Sequence, residues 1–269
     1  ARLSPDGTRI AVTVTEAGKS AVWIYDMSSR TFSQLSTGAS AQSPEWSPDG
    51  TRIYYVGLGD SDQIALYSQQ ADGGGAPDRI TSIQGIAQGL SVAPDGKSIV
   101  YIAYVKNSWD LFRIQLDSSA SQSLYIGSSF DETTPTISPD GHWVAMVSNQ
   151  SGAGPLSLRS YPNPSSRIQV SASGGGEPMW SKDGKSVYYR AGTSEIAARL
   201  ATTPSLRVVS RDTVISRTDL FVLGGVLRSS DLSRDGRVLG LVSRKDDFQL
   251  IVVPNWRVEL EKTLAAARQ

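Results

Sequence analysis

Carboxylates are the reactive side chains this sequence has in quantity, because thiols and imidazoles are nearly absent from its 269 residues. There is no cysteine, which removes thiol catalysis, disulfides and zinc-thiolate sites. His142 is the only histidine, so a histidine-rich metal centre cannot be built. It follows Asp140-Gly141 in a turn whose other copies carry Thr, Lys or Arg, and it reads as a solvated turn residue. No Gly-x-Ser-x-Gly elbow is present, nor a glycine-rich phosphate loop, His-Arg-Asp or Asp-Phe-Gly. Gly57-Leu58-Gly59-Asp60 is a fragment of a dinucleotide pattern lying in a strand connection. No motif asks for a cofactor. Among the acids, Asp6, Asp49, Asp95, Asp140, Asp183 and Asp235 each precede glycine and are explained as turn formers. Glu45, Asp131, Glu132 and Glu177 are not explained that way. Such groups, gathered at one place, suit a cation or a basic side chain of a partner. A converging pair would instead suit glycoside chemistry. The sequence leaves both possibilities open.

The elements that position those acids follow from an internal repeat. A Ser-Pro-Asp-Gly-like turn recurs at Ser4-Pro5-Asp6-Gly7, Ser47-Pro48-Asp49-Gly50, Ala93-Pro94-Asp95-Gly96, Ser138-Pro139-Asp140-Gly141, Ser181-Lys182-Asp183-Gly184 and Ser233-Arg234-Asp235-Gly236. Proline presets φ, aspartate bonds nearby backbone, and glycine takes the positive φ that closes a hairpin. Each turn leads into a β-rich run: Thr8–Val14, Thr51–Val56, Lys97–Val105, His142–Ser148, Lys185–Arg190 and Arg237–Ser243. Third strands are expected at Ala21–Tyr25 and Trp109–Ile114, and a shorter fourth at Thr31–Leu35. Four antiparallel strands per repeat make one propeller blade. The expectation is an all-β, six-bladed β-propeller of four-stranded antiparallel blades over residues 1–253, with blades starting near 1, 42, 88, 133, 177 and 229. In that frame Glu45, Asp131, Glu132 and Glu177 lead into inner strands and approach one mouth of the central channel. Trp46 and Trp180 stand at equivalent positions and are expected in the packing between blades.

Several segments qualify this frame. Gly73–Pro77 and Ser171–Gly176 resemble linkers in composition, yet in register they are loops before an outer and an inner strand. Ser210–Leu227 lengthens one spacing, and its apolar stretch around Phe221 reads as extra strand, buried loop or interface loop. The last repeat offers strands near Ser229–Ser233, Arg237–Ser243 and Phe248–Val253 but no fourth. The missing strand is expected upstream of Ala1, since the chain opens already inside a repeat. After Pro254 the period changes: Trp256, Leu260 and Leu264 lie four apart, predicting a short C-terminal amphipathic helix over 254–269. It either packs on the propeller or is presented to a partner.

The composition is that of a soluble globular chain, with 39% hydrophobic and 19% charged residues. Its 26 basic and 26 acidic side chains cancel, which argues against a nucleic-acid surface. No apolar stretch is long enough to span a bilayer.

The repeat Pro44-Glu45-Trp46-Ser47-Pro48-Asp49-Gly50 leading to Ile53-Tyr54-Tyr55, echoed by Pro178-Met179-Trp180-Ser181-Lys182-Asp183-Gly184 leading to Val187-Tyr188-Tyr189, resembles the WD-like repeat of TolB and its relatives. Toward the C-terminus, Ala198-Arg199-Leu200, Pro204–Val208, Ser233–Arg237 and Leu250–Trp256 closing on Glu259-Leu260 are similar to the propellers that end bacterial Ser/Thr protein kinases and to their stand-alone paralogues. These resemblances imply an extracytoplasmic, periplasmic protein-binding or scaffold propeller, not an enzyme, acting as an accessory subunit of a membrane-bound complex or as the sensor domain of a receptor kinase. The implied partner is another protein, with an integral membrane protein or complex foremost. Glu45, Asp131, Glu132, Glu177, Phe221, Trp256, Leu260 and Leu264 are the candidate partner-binding residues. A hydrolase or lyase using channel carboxylates remains the third reading.

Overall fold

Each repeat's turn folds as its chemistry requires. In the first, Gly7 N–H donates to the Ser4 carbonyl at 2.8 Å, Thr8 N–H to Asp6 Oδ1 at 3.1 Å, and Arg9 N–H to Ser4 Oγ at 2.9 Å. Gly7 sits at φ 74°, and Gly50, Gly96, Gly141 and Gly184 repeat this left-handed conformation. The serine hydroxyl also donates to the aspartate, which holds the carboxyls of Asp6, Asp49 and Asp183 below the usual range. Successive turns also touch: a Cβ on Gly141 would lie 3.3 Å from Pro94 Cγ, and one on Gly50 3.4 Å from Pro5 Cδ.

The structure, a computed structural model, describes residues 1–37, 40–59, 63–152, 154–216, 230–233, 238–244 and 247–253. Its first sheet runs β1 (Arg2–Leu3), β2 (Arg9–Glu16), β3 (Lys19–Asp26) and β4 (Thr31–Gln34) in that order from channel to rim. The second holds β5 (Ala41–Trp46), β6 (Arg52–Leu58), β7 (Ile64–Gln70) and β8 (Asp78–Ser82). The third holds β9 (Ile86–Val92), β10 (Ser98–Val105), β11 (Ser108–Gln115) and β12 (Gln122–Ile126). The fourth holds β13 (Glu132–Ile137), β14 (Trp143–Ser148), β15 (Leu156–Ser160) and β16 (Arg167–Gln169). The fifth holds β17 (Gly176–Trp180), β18 (Ser186–Ala191), β19 (Ser194–Ala201) and β20 (Arg207–Ser216). Last come β21 (Asp231–Leu232), β22 (Val238–Arg244) and β23 (Asp247–Val253). All pairings are antiparallel, and β21 touches both β17 and β1.

The expected six four-stranded blades are therefore corrected to five. The remaining sheet has three strands among the described residues, because the last repeat supplies only three β-forming runs. Residues 210–216 of the lengthened spacing continue β20 as the outer strand of the fifth blade. The expected C-terminal helix, with Trp256, Leu260 and Leu264, lies outside the described residues, as does Phe221. Among the described residues no helix is long and apolar enough to cross a membrane.

Hydrophobic packing lies between blades, and this explains why second strands are apolar on both faces. Ile99, Tyr101 and Ala103 of β10 pack with Val56 and Leu66 of the second blade. Val100 and Ile102, pointing the other way, pack with Ile137, Val144 and Met146 of the fourth. Each valine, leucine, isoleucine or methionine among them contributes about 1.5–3 kcal/mol by leaving water. Outer strand β4 is exposed throughout, as an edge with one neighbour should be.

The inner strands carry a device that the sequence does not announce. Each of β5, β9, β13 and β17 has a bulge at which two residues oppose one on the second strand. The first of the two has positive φ: Ser43 (55°), Gly89 (64°), Thr134 (50°) and Glu177 (50°). In three of the four the second is Pro44, Pro135 or Pro178. Proline cannot donate to the ladder, and the bulge takes it out of register.

Candidate functional site

The bulges fix what the inner strands present around the channel. The residue two before each turn is Arg2, Glu45, Ser91, Thr136, Met179 and Asp231 in successive sheets. Most of these side chains bond to the next sheet. Arg2 Nε donates to Glu45 Oε2 at 3.0 Å, Leu3 N–H to Asp231 Oδ2 at 2.9 Å, and Ile137 N–H to Ser91 Oγ at 3.0 Å. Thr136 Oγ1 donates to the Pro178 carbonyl at 3.0 Å. Tryptophans add a second stitch. Trp46 Nε1 donates to the Arg2 carbonyl at 3.1 Å, and Trp180 Nε1 to the Thr136 carbonyl at 3.0 Å. Both are interblade residues as expected, and the Arg9 guanidinium lies 4.8 Å from the Trp46 ring centroid.

Glu45 is thus drawn into an ion pair with Arg2, whose side chain is 9% exposed. Sequence reasoning missed Arg2. Its signal was opposite charge at the same position of adjacent repeats, with Asp231 on the other side.

Glu177 sits on the fifth blade in a buried polar cluster. Its Oε2 accepts from Ser230 Oγ at 2.9 Å, which ties the fifth blade to the last sheet. Arg190 Nε lies 4.0 Å from Glu177 Oε1, an ion pair too long to be a hydrogen bond. Glu195 stands opposite Arg190 in the β18–β19 ladder and is 3% exposed. Burial pushes its carboxyl up to about 8; Arg190 pulls it down and Glu177 adds to the rise. Among the described residues neither Arg190 Nε nor Glu195 Oε1 has a hydrogen-bond partner. Arg190 and Glu195 were also missed, although the short hairpin between them places them opposite each other.

Asp131 and Glu132 share a third place, where the third blade meets the fourth. Asp131 Oδ1 accepts from Trp109 N–H at 3.0 Å, and Oδ2 from Asn149 Nδ2 at 2.9 Å. Glu132 Oε1 accepts from Ser128 Oγ at 2.9 Å and Ser148 Oγ at 3.2 Å. Asp110 joins them, accepting from Ser128 N–H at 3.3 Å. Burial raises the Glu132 carboxyl, the two serine hydroxyls lower it, and Asp110 and Asp131 raise it further.

The predicted acids therefore fall in three places on separate blades. Only Asp131 and Glu132 stand together. Among the described residues no three acidic or histidine side chains form a group able to hold a metal ion. His142 is an exposed turn residue whose backbone N–H bonds Asp140 Oδ1 at 3.0 Å.

Known proteins carry the same architecture. An uncharacterized protein of Agrobacterium fabrum is 29% identical over 147 residues, 54% of this chain and 49% of that one. The Tol-Pal system protein TolB of Anaeromyxobacter dehalogenans is 36% identical over 72 residues, 27% of this chain and 16% of that one. The match thus spans about half the first relative and a smaller part of the second. Among solved structures, TolB from Acinetobacter baumannii superposes with a TM-score of 0.71 at 19% identity, covering 93% of this chain and 62% of that one. An oligogalacturonate lyase in complex with manganese gives 0.66 at 15% identity, covering 95% and 73%. At such identities these structures share a fold and nothing narrower. Residues 1–175 match the family described as the TolB beta propeller domain, and since the repeated turns, four-stranded blades and interblade tryptophans agree with that match, the chain belongs to that family.

Proposed function

We propose that this chain is a non-catalytic protein-binding propeller, working outside the cytoplasm as an accessory or sensor part of a larger, membrane-associated assembly. One observation carries the reading. Glu45, Glu177 and the Asp131–Glu132 pair each stand on a different blade, and donors of this chain hold each of them. A carboxylate-pair hydrolase needs two acids across one substrate bond. A binding face needs only a shaped rim with local charge. Family membership and the TolB name of one relative agree with binding, and placement outside the cytoplasm rests on that kinship.

The test is gentle native purification from source membranes, with mass spectrometry of what travels with the chain and crosslinking to map the contact. Stoichiometric recovery with another protein, crosslinked through the propeller, is the expected result. Recovery as a free monomer overturns the reading and sends the channel carboxylates to a substrate screen.

A further inference from the structure

Large apolar side chains are exposed at few places among the described residues; two of them pair on the third blade and a third stands in the connection that follows it. Ile86 is 54% exposed, Tyr104 40% and Phe130 38%. Tyr104 pairs across strands with Ile86 on one side and Trp109 on the other, and the Tyr104 and Trp109 rings stand 5.4 Å apart. These residues form a row across the third blade at the end where inner strands begin. The row is held rigidly: the two-residue turn between β10 and β11, Lys106-Asn107, has both residues at positive φ, the geometry matching strand twist. Phe130 joins from the connection to the fourth blade, its N–H bonded to Ser128 Oγ at 3.0 Å.

The carboxylates of Asp110, Asp131 and Glu132 lie directly beside this row. Trp109 N–H is held by Asp131, and Ser128 links Phe130 to both Glu132 and Asp110. Among the described residues every hydrogen bond these three acids accept comes from a backbone or side-chain amide or a hydroxyl. No lysine or arginine among the described residues forms an ion pair with them. Glu132 is 3% exposed, and its Oε2 has no hydrogen-bond partner among the described residues. A buried carboxylate oxygen without a donor is costly, and it favours any group that brings one.

Exposed aromatic and aliphatic surface beside uncompensated negative charge specifies its complement. We infer that Ile86, Tyr104, Trp109 and Phe130, with the Asp110–Asp131–Glu132 acids beside them, dock a segment of another protein that presents an apolar side chain next to a lysine or arginine. The apolar row supplies buried area and the acids set register and orientation. The same charge disfavours an anionic lipid surface. The inference rests on the protein-binding reading and assigns it a place and a partner chemistry.

The test uses the whole chain and two end-blocked six-residue probes, one alternating Leu and Lys and one alternating Leu and Glu. Binding is read by tryptophan fluorescence and calorimetry. The Leu/Lys probe is expected to bind and to weaken as salt rises, and the Leu/Glu probe to bind at least tenfold more weakly. The double variant Ile86→Ser/Phe130→Ser, and separately Glu132→Gln, should each lower Leu/Lys affinity about tenfold or more. Val209→Ser, at an apolar residue on outer strand β20, should leave it unchanged. Equal binding of both probes, no binding of the Leu/Lys probe, or patch variants that bind as the parent does would each overturn the assignment. Native association separates this failure from that of the parent reading. A co-purifying partner retained by the patch variants leaves protein binding standing and removes this site, whereas no partner removes the binding reading itself.

Discussion

Replacing Glu195 by Gln should stabilise the protein, and increasingly so as pH rises. Glu195 is 3% exposed in β19, facing Arg190 across the ladder, with Glu177 adding negative charge. Burial strips the carboxylate of water, which Arg190 offsets in part and Glu177 adds to, so folding favours the protonated acid. Its carboxyl is accordingly pushed from 4.5 to about 8. A carboxyl raised on folding contributes stability that is full below its unfolded value and is lost as pH climbs through its folded value. Each unit of separation is worth 1.36 kcal/mol, so holding the proton at pH 7 costs about 3 kcal/mol relative to an unfolded, ionised glutamate, and the full loss above pH 8 is about 5 kcal/mol. Glutamine keeps the shape and carries no charge to desolvate.

The assay is urea unfolding followed by tryptophan fluorescence, parent against Glu195→Gln, from about pH 5 to about pH 9. The parent's stability should fall across that window while the variant's stays closer to level, and the two curves should diverge by several kcal/mol at the alkaline end. Equal m values are needed for the comparison to report stability alone. Arg190→Met should carry the parent's loss of stability to higher pH, because a cation that lowers Glu195 is then gone. Parallel curves for parent and Glu195→Gln at every pH would refute the reasoning, since they would mean Glu195 ionises in the fold without penalty.

Other perturbations test how the blades are joined. Gly141→Ala forces an alanine to φ 72° and sets its Cβ 3.3 Å from Pro94, whereas Gly184→Ala meets nothing within 4 Å at φ 67°. Both should lose about 1 kcal/mol to backbone strain, and Gly141→Ala a further increment that measures the Pro–Gly contact between turns in denaturant melts. Trp46→Phe removes the donor to the Arg2 carbonyl and weakens the Arg9 stacking, and should cost about 1–3 kcal/mol, read as a lower urea midpoint. Glu45→Gln removes the charge of one partner in the nearly buried Arg2–Glu45 pair, and should cost about 1–3 kcal/mol by an amount that changes little with salt, in contrast to a surface pair.

Strands and turns were legible because they are written in local chemistry. The Pro-Asp-Gly signal at 48–50 and the alternation after it place β6 within a residue of its observed start. The same holds for β10, expected from Lys97 and found from Ser98. What the sequence concealed depends on register between strands that are distant in the chain. Ser43, Thr134 and Glu177 are poor candidates for positive φ, and as residues before proline they are biased toward extended backbone. They adopt it because the inner-strand bulge requires it, with or without a proline after it, as Gly89-Leu90 shows, and the bulge is visible only once the second strand is in place. Glu177 illustrates the consequence. Its sequence position suggested an acid facing an open channel, but the bulge and the neighbouring sheet bury it against Ser230 and Arg190. Glu132, expected at the same mouth, is likewise buried at the start of β13, and only the structure shows that one of its oxygens lacks a donor among the described residues.

A repeated backbone carrying unrepeated charges explains how such a fold can acquire a face. The turns and bulges recur almost unchanged, so the frame tolerates many residues at the position two before each turn. Arg2, Glu45, Ser91, Thr136, Met179 and Asp231 occupy that one geometric position, and most of them spend their polarity on the adjacent sheet. Charge consumed in stitching is withdrawn from partners. The meeting of the third and fourth blades differs in one respect: Asp110, Asp131 and Glu132 accumulate there bonded to uncharged donors, with no ion pair among the described residues, beside exposed Ile86, Tyr104 and Phe130. Packing between blades does not require that excess, since Ile137, Val144 and Met146 already fill the interface below it. An unneeded electrostatic cost at a place already well packed is what a surface kept for another molecule would show.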